Sequence, residues 1–252
     1  MTIASDPRSY QAPPDLLRDR VILVTGAGAG IGRCAALAFA RHGATLILCG
    51  RTAARLEQVY DEIVAIGAAE PVLAPLSMER ATETEYRQLA GHIQEEFGRL
   101  DGLLHNAGLL GQRTSIANYD ATTWQQVIQV NVTAQFLLTK ALLPAMREAN
   151  SASVLFTSSG VGRRGRAFWG AYAVSKFAVE GLSQVLAAEL EQTSRIRVNC
   201  INPGATRTAM RATAYPAEDP TTLKTPEQIM PAYLYLMGDA GQGVTGQSFD
   251  AQ

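Results

Sequence analysis

From residue 21 onward, short apolar runs of strand length alternate with longer segments of helical period, and this alternation continues to residue 251. VILVT (21–25), ATLILCG (44–50), PVLAPL (71–76), LDGLLHN (100–106), SVLFTSS (153–159), RIRVNCIN (195–202) and QSFDA (247–251) read as strands. Pro75 marks the third as an edge strand. Helical patterns fill 34–42, 53–67, 82–97, 121–149, 169–192 and 225–238, and the first two stop at Gly43 and Gly67. Apolar content of 47% supplies a large core. Strands that alternate with helices predict a mostly parallel, doubly wound α/β sheet with helices on both faces. No linker or repeat divides the series, so residues 1–18 read as an N-terminal arm and 19–252 as one domain. In such sheets ligands sit beyond the carboxyl ends of strands. The loops after Thr25, Gly50, Asn106, Ser159 and Asn202 are therefore the ones to inspect.

The first of these loops lies in VILVTGAGAGIGR (21–33). Gly26 follows the strand and Gly32 opens the helix, where free amides face an anion and glycines let its phosphates approach. Ile31 stands where the commonest dinucleotide fingerprint has its last glycine. The second strand ends in Cys49-Gly50-Arg51, without the acid that would bind a ribose 2′-hydroxyl of NAD. A guanidinium pairs well with a 2′-phosphate. NADP is therefore expected over NAD, with Arg33 adding to the charge. Tyr172 and Lys176 are four apart and share a helix face. An ammonium beside a phenol favours the phenolate and makes it a usable acid–base group. The chain contains only three lysines (Lys140, Lys176, Lys224) among 22 basic residues, which makes a lysine at this place informative.

The spacing T-G-x-x-x-G-x-G, met by Thr25, Gly26, Gly30 and Gly32, resembles the short-chain dehydrogenase/reductase family. With LDGLLHNAGLLG, VNVTAQF, LFTSSGVGRRGRAFWGAYAVSKFA and VNCINPGATRTAMRA, the likeness runs from about residue 19 onward and is strongest to a bacterial branch of that family. It implies a Rossmann-type fold and an NADP(H)-dependent oxidoreductase acting on a small carbonyl or alcohol. It selects Ser159, thirteen residues before Tyr172, over Ser158 as the hydroxyl that polarises the substrate oxygen. Tyr172 is then the proton donor or acceptor, and Lys176 its ribose-binding partner. Asn131 would hold, through its carbonyl, a water that leads from Lys176 to solvent. Gly26, Gly30, Ile31, Gly32, Arg51, Asn106, Ala107, Gly108, Pro203, Gly204, Thr206 and Thr208 are implied to line the cofactor, together with Tyr172 and Lys176. The family also implies a homodimer or homotetramer built through two long helices. Two departures stand out. Pro75-Leu76-Ser77 replaces a common adenine-binding Asp, and His105 replaces a common Asn.

Other classes are disfavoured. A net charge of −1 offers no field for nucleic acid or an anionic membrane. No run approaches the roughly 18 apolar residues of a membrane helix. The three histidines and three cysteines have no metal-ligand spacing, so no metal is expected. Cys34, Cys49 and Cys200 read as buried thiols of a cytoplasmic protein. A non-catalytic NADPH sensor is the alternative function, and its mark would be a damaged Ser–Tyr–Lys set. The segment 205–225 reads as a short substrate lid. Arg163, Arg164, Arg166, Arg207 and Arg211 border the expected entrance, which suits a substrate carrying an oxyanion, such as a carrier-bound 3-oxoacyl group.

Overall fold

In the computed structural model, which describes residues 6–252, seven parallel strands form one sheet in the order β3-β2-β1-β4-β5-β6-β7. The strands are β1 (Val21–Thr25), β2 (Thr45–Gly50), β3 (Val72–Pro75), β4 (Gly102–His105), β5 (Ala152–Thr157), β6 (Ile196–Asn202) and β7 (Ser248–Asp250). The helices are α1 (Gly30–Arg41), α2 (Ala53–Ala65), α3 (Glu83–Phe97), α4 (Ala121–Ile128), α5 (Ala134–Arg147), α6 (Gly170–Leu190), α7 (Ala209–Ala214) and α8 (Met230–Met237). The expected Rossmann-type architecture is present, with β3 at an edge. Chain order reverses between β1 and β4, which pair Ile22 with Gly102 and Val24 with Leu104. That reversal opens the crevice in which a doubly wound sheet takes its ligand.

Strands buried on both faces need two cores. One gathers α1, α2 and α8 around Ile22, Val24, Leu46 and Leu48, with Phe39, Tyr233 and Leu236 wholly enclosed. The other sets α3, α5 and α6 against Leu23, Ile47, Leu103 and Val154, with Tyr86 and Phe156 wholly enclosed. Cys34, Cys49 and Cys200 are all free and buried. Of the expected arm, residues 1–5 lie outside the described residues. From there the chain packs back on the body, with Leu17 buried and Tyr10 edge-on to Tyr235 at 5.5 Å. Among the described residues no helix is long and apolar enough to cross a membrane.

One helix differs from expectation. The single helix expected over 121–149 is divided by a π-helical segment, Gln129–Thr133, where Ala134 N–H reaches back five residues to Gln129 O. The added residue turns the Asn131 side chain into the protein. Helix α6 leaves Val174, Phe177 and Val185 45%, 46% and 58% exposed along one stripe.

His105 ends β4 in the core, stacked on Phe156 at 4.7 Å. Thr139 gives its hydroxyl proton to Gln135 O, so it accepts from His105 Nε2–H, 2.8 Å away. Burial pulls the imidazole from 6.5 to about 3. The unfolded chain therefore takes up a proton below pH 6.5 that the native protein refuses until about pH 3. Stability from this group is complete above that window and is lost as pH falls through it, by up to about 1.4 kcal/mol per pH unit. Denaturant titrations between pH 7 and pH 5, at roughly these values, should show that slope in the parent, and His105→Asn should flatten it. An unchanged slope would remove His105 as its source.

Candidate active site

The cleft begins where β1 turns into α1. Gly26 lies in the left-handed region at φ 67°, and a Cβ there would stand 3.0 Å from Ala107 Cα. A Cβ on Gly32 would be 2.2 Å from Gly26 O. The turn is thus closed by backbone against backbone, and the N-terminus of α1 is left bare beside Gly26, Gly30 and Ile31, which line the cleft. Thr25 couples this turn to the next loop. Its Oγ1 donates to Leu104 O and accepts the N–H groups of Asn106 (3.0 Å) and Ala107 (3.1 Å). Asn106, Ala107 and Gly108 consequently face the same space.

At the end of β2, Arg51 lines the cleft together with Arg55, which stands four residues on, in the first turn of α2. Arg55 was not anticipated, although its spacing from Arg51 was a readable signal. Arg33 does not join them, because its guanidinium forks onto Glu62 and ties α1 to α2. Where the family often has Asp, Leu76, Ser77 and Met78 form the wall, and the Leu76 amide is already bonded to Gly50 O at 2.9 Å.

A cavity of about 430 Å³ brings Ser159, Tyr172 and Lys176 together with Gly26, Gly30, Arg51 and Arg55. The two serines after β5 part company. Ser158 points inward and donates to Glu180 at 2.5 Å, leaving Ser159 beside the Tyr172 phenol. Burial pushes that phenol up to about 12, against the opposing pull of the Ser159 hydroxyl. Lys176 is buried, its Nζ donates to Thr157 O at 2.6 Å, and burial lowers it to about 8. Its ammonium lies 5.5 Å from the Tyr172 ring centroid. The lowering of Tyr172 expected from Lys176 is absent in this arrangement: the ammonium is aimed at Thr157 O, and desolvation sets the shift.

Asn131 is fully buried and outside the cleft lining. Its Oδ1 accepts Leu109 N–H at 2.8 Å, and its Nδ2 donates to Leu109 O and to Ser175 Oγ, each at 2.9 Å. Ser175 in turn donates to Tyr172 O at 2.7 Å. This chain of bonds locks the loop after β4 to α6 beneath the tyrosine, a part for Ser175 that its place in AYAVSKFA does not reveal. Beyond β6, Pro203, Gly204 and Thr208 line the cleft. Thr206 does not; it is buried with its hydroxyl on Pro203 O, which Gln252 also holds. Thr208 caps α7 by accepting Arg211 N–H.

The arginines expected around the entrance are mostly bonded into the fold. Arg163 holds Glu180, Asp250 and Ser248. Arg207 donates to the carbonyls of Pro220, Thr221 and Leu223. Arg211 lines the cleft, paired to Glu218 at 2.6 Å.

The short chain dehydrogenase family model matches residues 20–219. The chain belongs to this family. It is 55% identical over 243 residues to the Escherichia coli K12 oxidoreductase YciK, covering 96% of both chains, in agreement with the bacterial branch expected from the motifs. A short chain dehydrogenase from Shigella flexneri, crystallised with NADP, superposes with a TM-score of 0.93 at 55% identity, over 95% of this chain and 100% of that one. Another from Escherichia coli CFT073, crystallised with NADPH, gives 0.93 and 55% over 95% and 99%.

Replacing Asn131 with Ala should cost stability more than cofactor affinity. It strands the half-buried Leu109 amide and carbonyl, at about 1–3 kcal/mol per unsatisfied group at most. A Tm lower by roughly 5–10 °C is expected, at about 2–4 °C per kcal/mol in a protein of this size. Calorimetry checks it, and an unchanged Tm would contradict the bonding described above.

Proposed function

We propose that this protein is an NADP(H)-dependent oxidoreductase interconverting a carbonyl compound and a secondary alcohol. The observation that carries the reading is the meeting of Ser159, Tyr172 and Lys176 in one cleft with Arg51 and Arg55. The Gly26–Gly32 turn fits a pyrophosphate, since a Cβ on either glycine would close on the protein's own backbone. The guanidinium groups of Arg51 and Arg55 fit a ribose 2′-phosphate. Relatives crystallised with NADP and NADPH support the same cofactor.

Bound NADP(H) supplies the hydride, and the remaining work falls to the chain. Ser159 donates a hydrogen bond to the carbonyl oxygen as charge develops on it. Tyr172 passes its phenolic proton to that oxygen in reduction and takes it back in oxidation. Lys176 Nζ holds its charge near the phenolate and, drawn from Thr157 O, binds ribose hydroxyls. Asn131 holds the backbone beneath them and, by its carbonyl, the water expected next to Lys176. The segment 205–225, carrying α7, acts as the substrate lid. The exposed stripe Val174–Phe177–Val185 suits the homodimer or homotetramer that the family implies. An oxyanion-bearing or 3-oxoacyl substrate would find only Arg211 of the five arginines in the cleft lining, and that one already paired.

Two substitutions test the assignment. Arg51→Ala and Arg55→Ala should each weaken NADP binding about tenfold to a hundredfold, because a charge-assisted bond contributes about 1.5–3 kcal/mol. NAD affinity should hardly move, and the double variant should bind both alike; equal affinities in the parent would defeat the cofactor reading. Tyr172→Phe keeps the ring and removes the proton. With any carbonyl compound that the parent reduces, kcat should drop about 10²–10⁴-fold, with NADPH affinity preserved. Retention of activity would move the acid elsewhere. A parent that binds NADPH yet reduces no carbonyl in a broad panel would leave the sensor function standing.

A further inference from the structure

The substrate end of the cleft is organised around Trp169. Phe168 lies in the left-handed region at φ 68°, rare for an aromatic residue, and its side chain is 58% exposed. Gly170 follows at φ 33°, where a Cβ would be 2.3 Å from Tyr119 Cε2. Between these two unusual turns the Trp169 ring is swung inward, to 8% exposure, 5.7 Å from the Tyr172 ring and 5.9 Å from Tyr215. Strain of this kind persists where its surroundings over-determine it, and it gathers at ligand-binding sites.

One guanidinium holds the arrangement together. Arg113, from the loop after β4, lies 4.4 Å over the Trp169 ring and 4.9 Å over Tyr215, and it donates to Ala214 O at the end of the lid helix. Arg211 covers Tyr215 at 3.8 Å while paired to Glu218. Arg113 and Glu218 stay outside the cleft lining, whose apolar members at this end are Leu110, Trp169, Met210 and Ala214, with Arg211 as the charged member, already paired to Glu218. We propose that the substrate's non-reacting part is an uncharged, bulky apolar group that packs on Trp169, which sets specificity, and that Arg113 is the positioning residue that joins this wall to the lid. The inference rests on the carbonyl-reductase reading and adds the class of its substrate. An aromatic wall favours apolar bulk, whereas a carboxylate placed there would lose its water without gaining a free cation.

The experiment compares acetylnaphthalene with the acetylnaphthoate that adds a carboxylate to the far ring. Binding to the NADP-loaded enzyme is read by Trp169 fluorescence in a Trp124→Phe background, and reduction is read by NADPH consumption. The neutral ketone should bind and be reduced at least about tenfold better in kcat/KM. Trp169→Ala should erase most of that preference through KM, with NADPH affinity unchanged. Arg113→Ala should do the same in part. Arg113→Lys should not rescue it, because an ammonium cannot lie flat between two rings; full rescue would reduce Arg113 to a charge. A preference for the carboxylate, equal kinetics, no effect of Trp169→Ala, or no binding of either ketone would overturn the proposal. Binding of the neutral ketone without turnover would instead strike the carbonyl-reductase reading and leave the wall in place.

Discussion

Backbone meets backbone where Gly32 passes Gly26 O, and that approach leaves no room for a single carbon. The rest of the cleft is arranged around it. Because the turn is this tight, α1 starts directly beyond β1 with its amides toward the crevice. Thr25 then carries the position of the turn across to Asn106 and Ala107 through its hydroxyl. Parallel pairing does the remainder: β4 pairs with β1, β5 with β4 and β6 with β5, so the Asn106, Ser159 and Pro203 loops open at the same end of the sheet. A phosphate turn and a reacting tyrosine far apart in sequence become neighbours without any long-range device beyond the sheet.

Behind the cleft, one buried carboxylate is kept in company. Glu180, one helical turn past Lys176, receives Ser158, Ser248 and Arg163. A lone carboxylate in such a place would be costly, while one shared among several donors is tolerated and resists movement. Its partners come from the β5 loop and β7, so the loop carrying Ser159 is fastened to the helix carrying Tyr172 and Lys176. Asn131 and Ser175 perform the same service from the other side. The reacting side chains therefore sit on a frame whose hydrogen bonds are made before substrate arrives, which is what positional precision requires.

The sheet was legible because strand-length apolar runs and glycine stops are local signals. Tyr172 with Lys176, and the glycine turn, were legible because their chemistry needs short fixed spacings. What escaped was non-local. Arg163, Arg164 and Arg166 look alike in sequence, yet Arg163 turns to β7, 85 to 87 residues away. Arg33 looked free until Glu62 came alongside it. Arg113 carried no motif at all, and its place between two rings depends on three loops meeting. The division of the helix at Gln129–Thr133 is equally invisible to periodicity, since five residues of a wider turn barely alter an apolar pattern.

That wider turn has a consequence for how such a chain tolerates change. A helix that holds one residue more than its α-helical path needs could keep that residue and wind it into regular α turns in place of the wider one. The change would break no bond of the chain, yet it would rotate everything after it by about 100° about the helix axis. Leu138, Leu142 and Ala145, now enclosed in the core, would swing toward water, and Asn131 would leave Leu109 and Ser175. The irregular turn thus acts as a phase-setter: it lets one continuous rod present a polar anchor to the active site and, a few residues later, an apolar face to the sheet.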